Sequence, residues 1–286
     1  MRPFIAIYAW LLTRLPEGFA RINAAGWGCV LWILRRKILT RNLRVAFPDR
    51  NAAWVKRIGQ TSCRRAAEMG LFSIASPLFS PEEIRRRVTL DESMLRGPSS
   101  LTETAEGIVL FVPHFTHMEM MTAAPLLHPK LAAKQWVVLF RPLNQPGANT
   151  WVKDARERFG MQLVSRREGF GRAMKAVREK QITCILFDQN TPQGISVNFM
   201  GSPCLATDLP GIIAQRFGAE SRIFWAERIR FWQCRLHSVV LNAKDSTGLT
   251  IESNNWLADR LRSNDEACVE WLWVHDRWKH GPQGTG

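Results

Sequence analysis

The chain has 286 residues, with 39 Lys and Arg against 25 Asp and Glu, a formal net charge of +14. At 46% hydrophobic and 22% charged residues it has a foldable globular composition, which excludes both a disordered tail and a polytopic membrane protein. Six scattered cysteines with no C-x-x-C pair argue against a zinc ribbon or a disulfide scaffold and fit a reducing compartment.

A cationic surplus of this size calls for an anionic partner: nucleic acid, acidic lipid headgroups or an acidic carrier protein. The basic residues cluster at Arg35-Arg36-Lys37, Arg64-Arg65, Arg85-Arg86-Arg87 and Arg166-Arg167, although solvated helix faces carry such runs too. No C₂H₂ spacing, leucine-zipper heptad or RNP-like strand supports nucleic acid. Twelve Trp and fifteen Phe against one Tyr suit contact with an apolar phase that has a wet edge, such as a bilayer interface.

In chain order, an apolar run from Phe4 to Leu12 and another from Ala24 to Leu34 are both too short to cross a hydrocarbon core. Trp10, Trp27 and Trp32, closed by Arg35-Arg36-Lys37, describe an interfacial hairpin with tryptophans at headgroup level and cations on phosphate. An ordinary helix pair packed on the core is the alternative. The expected organisation is an N-terminal membrane-anchoring helical segment over 1–40 and an α/β domain over 41–286.

Helical spacing marks residues 51–78, and Ser80-Pro81-Glu82-Glu83 is a capping box that opens a helix from Pro81 to about Val88. From residue 107 short β-branched and aromatic runs recur: Ile108–Val112, Trp136–Phe140, Met161–Val164, Ile182–Phe187 and Ile223–Ala226. Helical stretches at 151–159 and 171–180 separate them, which predicts βα units around a largely parallel, buried sheet. Residues 232–240 read as a late strand, and 208–217 as a helix ended by Gly218.

The first of these strands runs into Pro113-His114-Phe115-Thr116-His117-Met118-Glu119, followed by an apolar helix from Met120 to Leu127. Parallel sheets gather ligands where strands end and helices begin. With His114 in the turn and Glu119 in the first helical turn, the carboxylate can fix the tautomer and leave one ring nitrogen free as a general base. A capping or core role for His114, with Glu119 as a solvated first-turn acid, is equally compatible with the spacing. No G-x-S-x-G elbow, P-loop or G-x-G-x-x-G is present, and His114, His117 and Glu119 lack the order of a zinc-binding H-E-x-x-H, so neither metal nor cofactor is expected.

The stretches 42–48 (Asn-Leu-Arg-Val-Ala-Phe-Pro), 113–119, 140–142, 156–160, 187–189, 198–203 and 271–279 together resemble the lauroyl/myristoyl transferase family, the late acyltransferases of lipid A biosynthesis. The resemblance implies a glycerolipid-acyltransferase-like α/β core with an N-terminal membrane segment, at the cytoplasmic face of the inner membrane. It implies transfer of a fatty acyl chain from acyl carrier protein to a hydroxyl of a lipid A precursor. His114 and Glu119 fall on the family's catalytic H-x₄-D/E, Arg141 on its R-P, Arg156 and Arg158 on its R-x-R-x-G, and Asp188 and Gln189 on its D-Q. These last five are expected at the substrate, the arginines on phosphate and the D-Q pair shaping the site. Asn190 stands where the family usually has a further acidic residue, and Met200 and Cys204 replace its second Phe and its Ala.

Overall fold

The computed structural model describes residues 2–97, 100–104, 106–142, 145–165 and 169–279; the Arg166-Arg167 cluster lies outside them. The chain begins with three helices, α1 (Arg2–Arg14), α2 (Glu17–Ala46) and α3 (Ala52–Ala75). Two glycines let α2 and α3 pack closely. A Cβ on Gly28 would lie 2.7 Å from the Arg64 Cα, and one on Gly59 would lie 2.5 Å from the Trp32 ring. Asn51 caps α3 by accepting from the Trp54 N–H. Helix α2 crosses residue 40 without a break.

The capping box on Ser80 and Glu83 forms in full and starts α4 (Pro81–Arg87), one residue shorter than expected because Val88 opens a strand, β1 (Val88–Leu90). Then come β2 (Ile108–Val112), α5 (Ala124–Leu127), α6 (Pro129–Ala132), β3 (Trp136–Phe140), α7 (Pro146–Glu157) and β4 (Met161–Ser165). They are followed by α8 (Phe170–Arg178), β5 (Ile182–Leu186), a hairpin of β6 (Ile195–Phe199) and β7 (Ser202–Ala206), and α9 (Leu209–Phe217). Gly218, at φ 59°, closes α9 as its left-handed C-cap. A long pair, β8 (Glu220–Arg230) and β9 (Gln233–Val240), and two helices, α10 (Ser246–Ser263) and α11 (Asp265–Val269), end the fold.

The expected parallel sheet is present, with seven strands in the order β1-β9-β8-β2-β5-β3-β4 and only β8 and β9 antiparallel. Both faces are covered. Val109 and Phe111 enter one core while Ile108, Leu110 and Val112 enter the other, as the two-residue period of a strand requires. The central neighbours β2 and β5 pair from Ile108↔Ile182 to Val112↔Leu186.

The apolar helix expected from Met120 is different. Residues Met118–Ala123 form a 3₁₀ turn, and the α-helix starts only at Ala124. Pro125 has no N–H to donate one turn back, so it is tolerated in the first turn of a helix and not in its interior.

No described helix is long and apolar enough to cross a membrane. Nevertheless, of the fourteen large hydrophobic side chains left exposed among the described residues, nine lie between Phe4 and Leu34. Ile22, Val30, Ile33 and Leu34 recur along one side of α2, which continues into the exposed Arg36 and Lys37.

Candidate active site

The register of β2 against β5 builds the centre of the site. Val112 and Leu186 are the last paired residues, and His114 and Asp188 each lie two positions beyond, so two side chains 74 residues apart in sequence meet at the carboxyl rim of the sheet. His114 Nδ1 is 2.5 Å from Asp188 Oδ1, and the His114 backbone N–H donates to Asp188 Oδ2 at 2.8 Å. The Trp271 indole N–H donates to the same Oδ2 at 2.6 Å. Burial opposes ionisation of Asp188, but the charge of His114, the hydrogen bonds from it and the Trp271 donor prevail and hold the carboxyl below its ordinary pKa.

Asp188 is therefore an acceptor only, which places a proton on Nδ1 of His114, and in the neutral ring Nε2 is then the nitrogen that carries the lone pair. The Gln189 side-chain amide lies 2.9 Å from that Nε2 and donates to it. His114 keeps 11% of its side-chain surface open to a cleft of about 580 Å³, whose walls include Arg141, Gln189, Asn190 and His275.

Glu119 does not touch His114. Its carboxylate is bidentate on Arg156, with Arg156 Nε donating to Oε2 at 2.7 Å and Nη2 donating to Oε1. The expected His114–Glu119 contact needs Glu119 on a helix that begins beside the histidine, and the 3₁₀ turn from Met118 turns the side chain towards α7 instead. His117 is buried and turned to Glu68, 3.3 Å away, far from any role as a competing base. Among the described residues no three His, Cys, Asp or Glu side chains gather as a metal site.

The three arginines separate. Arg141 is exposed on the wall of the cleft. Arg156 stands where the cleft meets a second, small apolar pocket under the same rim, lined by Met121, Val138, Phe140, Leu163 and Phe224. Arg158 points elsewhere: it donates to the Ser76 and Phe79 carbonyls at 2.6 Å each and ties the end of α7 to the end of α3.

The carboxyl-terminal segment grips both halves of the site, and sequence reasoning assigned it no role. Leu272 N–H donates to the His114 carbonyl and Thr116 N–H to the Glu270 carbonyl, so Phe115 and Trp271 form an antiparallel bridge. Around Asp188, the buried Arg277 donates to the Gln189 carbonyl at 2.8 Å, and His275 Nε2 accepts from the Asn190 N–H at 2.8 Å. Asn42 of α2 in turn donates to the Trp273 and His275 carbonyls. A dense cluster of Trp, His and Arg at 271–278 was the available signal.

A sequence model of the bacterial lipid A biosynthesis acyltransferases matches residues 3–280, nearly the whole chain. The chain belongs to that family. No curated protein matches it. As a family member the protein is an acyltransferase of lipid A synthesis, and a precursor of lipid A is its substrate. The acyltransferase carries its His114 at the carboxyl rim of the sheet, on a polar cleft that Met118, Phe140, Arg156 and Leu186 share with the apolar pocket.

Proposed function

We propose that this acyltransferase moves a fatty acyl chain from a thioester on acyl carrier protein to a hydroxyl of the lipid A precursor, with His114 as general base and Asp188 as the carboxylate that orients it. One observation carries this reading: Nδ1 is bound to a buried carboxylate while Nε2 faces an open cleft. The acceptor hydroxyl takes the place of the Gln189 amide at Nε2, gives its proton to that nitrogen and attacks the thioester carbonyl. The tetrahedral intermediate collapses to an ester, and the imidazolium returns the proton to the departing thiolate. General-base assistance of this kind is worth about 10²–10⁴ in rate.

Glu119 keeps its place in the site under a different role. It fixes Arg156 at the junction of cleft and pocket, where a guanidinium can meet a phosphate of the acceptor while the donor chain occupies the apolar pocket. Arg141 faces the same cleft and shares that work.

The exposed hydrophobic stripe of α1 and α2, followed by Arg36 and Lys37, supports seating on the anionic cytoplasmic face of the inner membrane. The same basic surplus suits an acidic carrier protein.

The test is transfer in vitro from radiolabelled acyl carrier protein to a purified lipid A precursor, read by mass spectrometry as a gain of one acyl chain. Equal or better transfer from acyl-CoA would overturn the choice of donor, and release of free fatty acid at full rate without acceptor would overturn transfer itself.

A further inference from the structure

On β3, alternate side chains face opposite sides of the sheet. Val138 and Phe140 line the apolar pocket, while Leu139 points the other way, into an open groove of about 420 Å³ between the starts of α8 and α9. Phe170 and Leu209, the first residues of those helices, and Ile212 give the groove its apolar wall. Phe170 stays 36% and Ile212 43% exposed, although neither has a polar group to keep wet.

The groove is continuous with the His114 cleft. Leu139, Thr191 and Thr207 line both. Among the described residues its one charged lining residue is Asp208, whereas Arg141 and Arg156 line the cleft. The two arginines draw an anionic headgroup to the cleft, and the Phe170, Leu209 and Ile212 side of the groove offers an adjoining surface for hydrocarbon.

From this arrangement we infer a second acyl-chain site: the groove of Phe170, Leu209 and Ile212 holds a fatty chain already present on the acceptor, on the face of the sheet opposite the pocket that takes the donor chain. This rests on the proposed lipid acceptor and adds where its existing chains lie. The two hydrocarbon chains thus approach His114 from opposite faces, with the reacting hydroxyl and carbonyl at the rim between them.

Two acceptors with the same phosphorylated disaccharide test it, one carrying long acyl chains and one carrying only short chains, each assayed with the same acyl carrier protein donor. Ile212→Asp and Phe170→Ser lie at exposed positions and leave the core intact, which circular dichroism verifies. The expected result is about a tenfold fall in the ratio of kcat/KM for the long-chain over the short-chain acceptor, equivalent to about 1.4 kcal/mol. A ratio unchanged in both variants overturns the groove while leaving the function in place. Failure of the unmodified protein to acylate either acceptor overturns the lipid-acceptor reading itself.

Discussion

His114 Nδ1 lies 2.5 Å from Asp188 Oδ1, and no other carboxylate among the described residues is bonded to that ring. The two residues follow neighbouring strands, each two positions past the last rung of their shared ladder. Their meeting is a consequence of strand order, so disturbing the ladder should disturb the proposed chemistry.

The Trp271 indole should matter through Asp188. Trp271→Phe keeps the ring packed against Phe199 and Trp273 but removes the donor to Oδ2. A hydrogen bond to a charged group is worth about 1.5–3 kcal/mol, so kcat should drop about 10–100-fold with acceptor KM nearly constant. Steady-state kinetics against acceptor concentration check this. A KM effect alone would mean that Trp271 shapes the cleft and does not position the base.

Glu119 and Arg156 should behave as one unit. Removing either leaves the other's charge partly buried, so the double variant Glu119→Gln/Arg156→Gln should be less destabilised than the sum of the singles. A coupling of about 1–3 kcal/mol in urea unfolding is expected, as for contacting charged neighbours. Additive effects would show that the pair is not formed in solution.

Much of this was legible in the sequence. The alternation of short β-branched runs with helical stretches gave the parallel sheet, Ser80 through Glu83 the capping box, and Gly218 the end of α9. Position 114 stood out because it follows a wholly apolar strand. Its partner did not, because the nearest acid in sequence, Glu119, is directed away by the 3₁₀ turn, and Asp188 is brought close only by the pairing of β2 with β5. Nor was the β6–β7 hairpin legible. Its turn places Met200 at φ 56° ahead of Gly201 at φ 86°, and methionine in the left-handed region carries no turn signature. Arg158 matched a pattern, yet its neighbours in space are the Ser76 and Phe79 carbonyls.

Glu270 makes stability fall with rising pH. Burial, opposed by Arg260 and reinforced by Glu227, raises its pKa to about 8. An acid raised in the folded state leaves the protein most stable below its unfolded pKa of about 4.3, and stability is lost as pH climbs towards 8. Glu270→Gln removes the titration and retains an acceptor. Melting temperatures should converge near pH 4.5, and the variant should lead by a few degrees at pH 8.5. A constant difference across that range would rule out the buried titration.

The amino-terminal helices should bind anionic bilayers. Ile33→Asp combined with Leu34→Asp changes two side chains that are 67% and 73% exposed, so folding should be unaffected. Co-sedimentation with phosphatidylglycerol vesicles should weaken at least tenfold, and added salt should weaken the unmodified protein's binding further. Equal sedimentation of variant and parent would place the membrane contact elsewhere.

The pairing of His114 with Asp188 is tested most directly by single-turnover acyl transfer with His114→Ala, Asp188→Asn and Glu119→Gln measured side by side at saturating acceptor. Asp188→Asn should lose about 10²–10⁴ in rate, close to His114→Ala, while Glu119→Gln, which only loosens Arg156, should lose far less at saturation. Asp188→Asn within tenfold of the parent, with Glu119→Gln inactive, would contradict the pairing and return the carboxylate's role to Glu119.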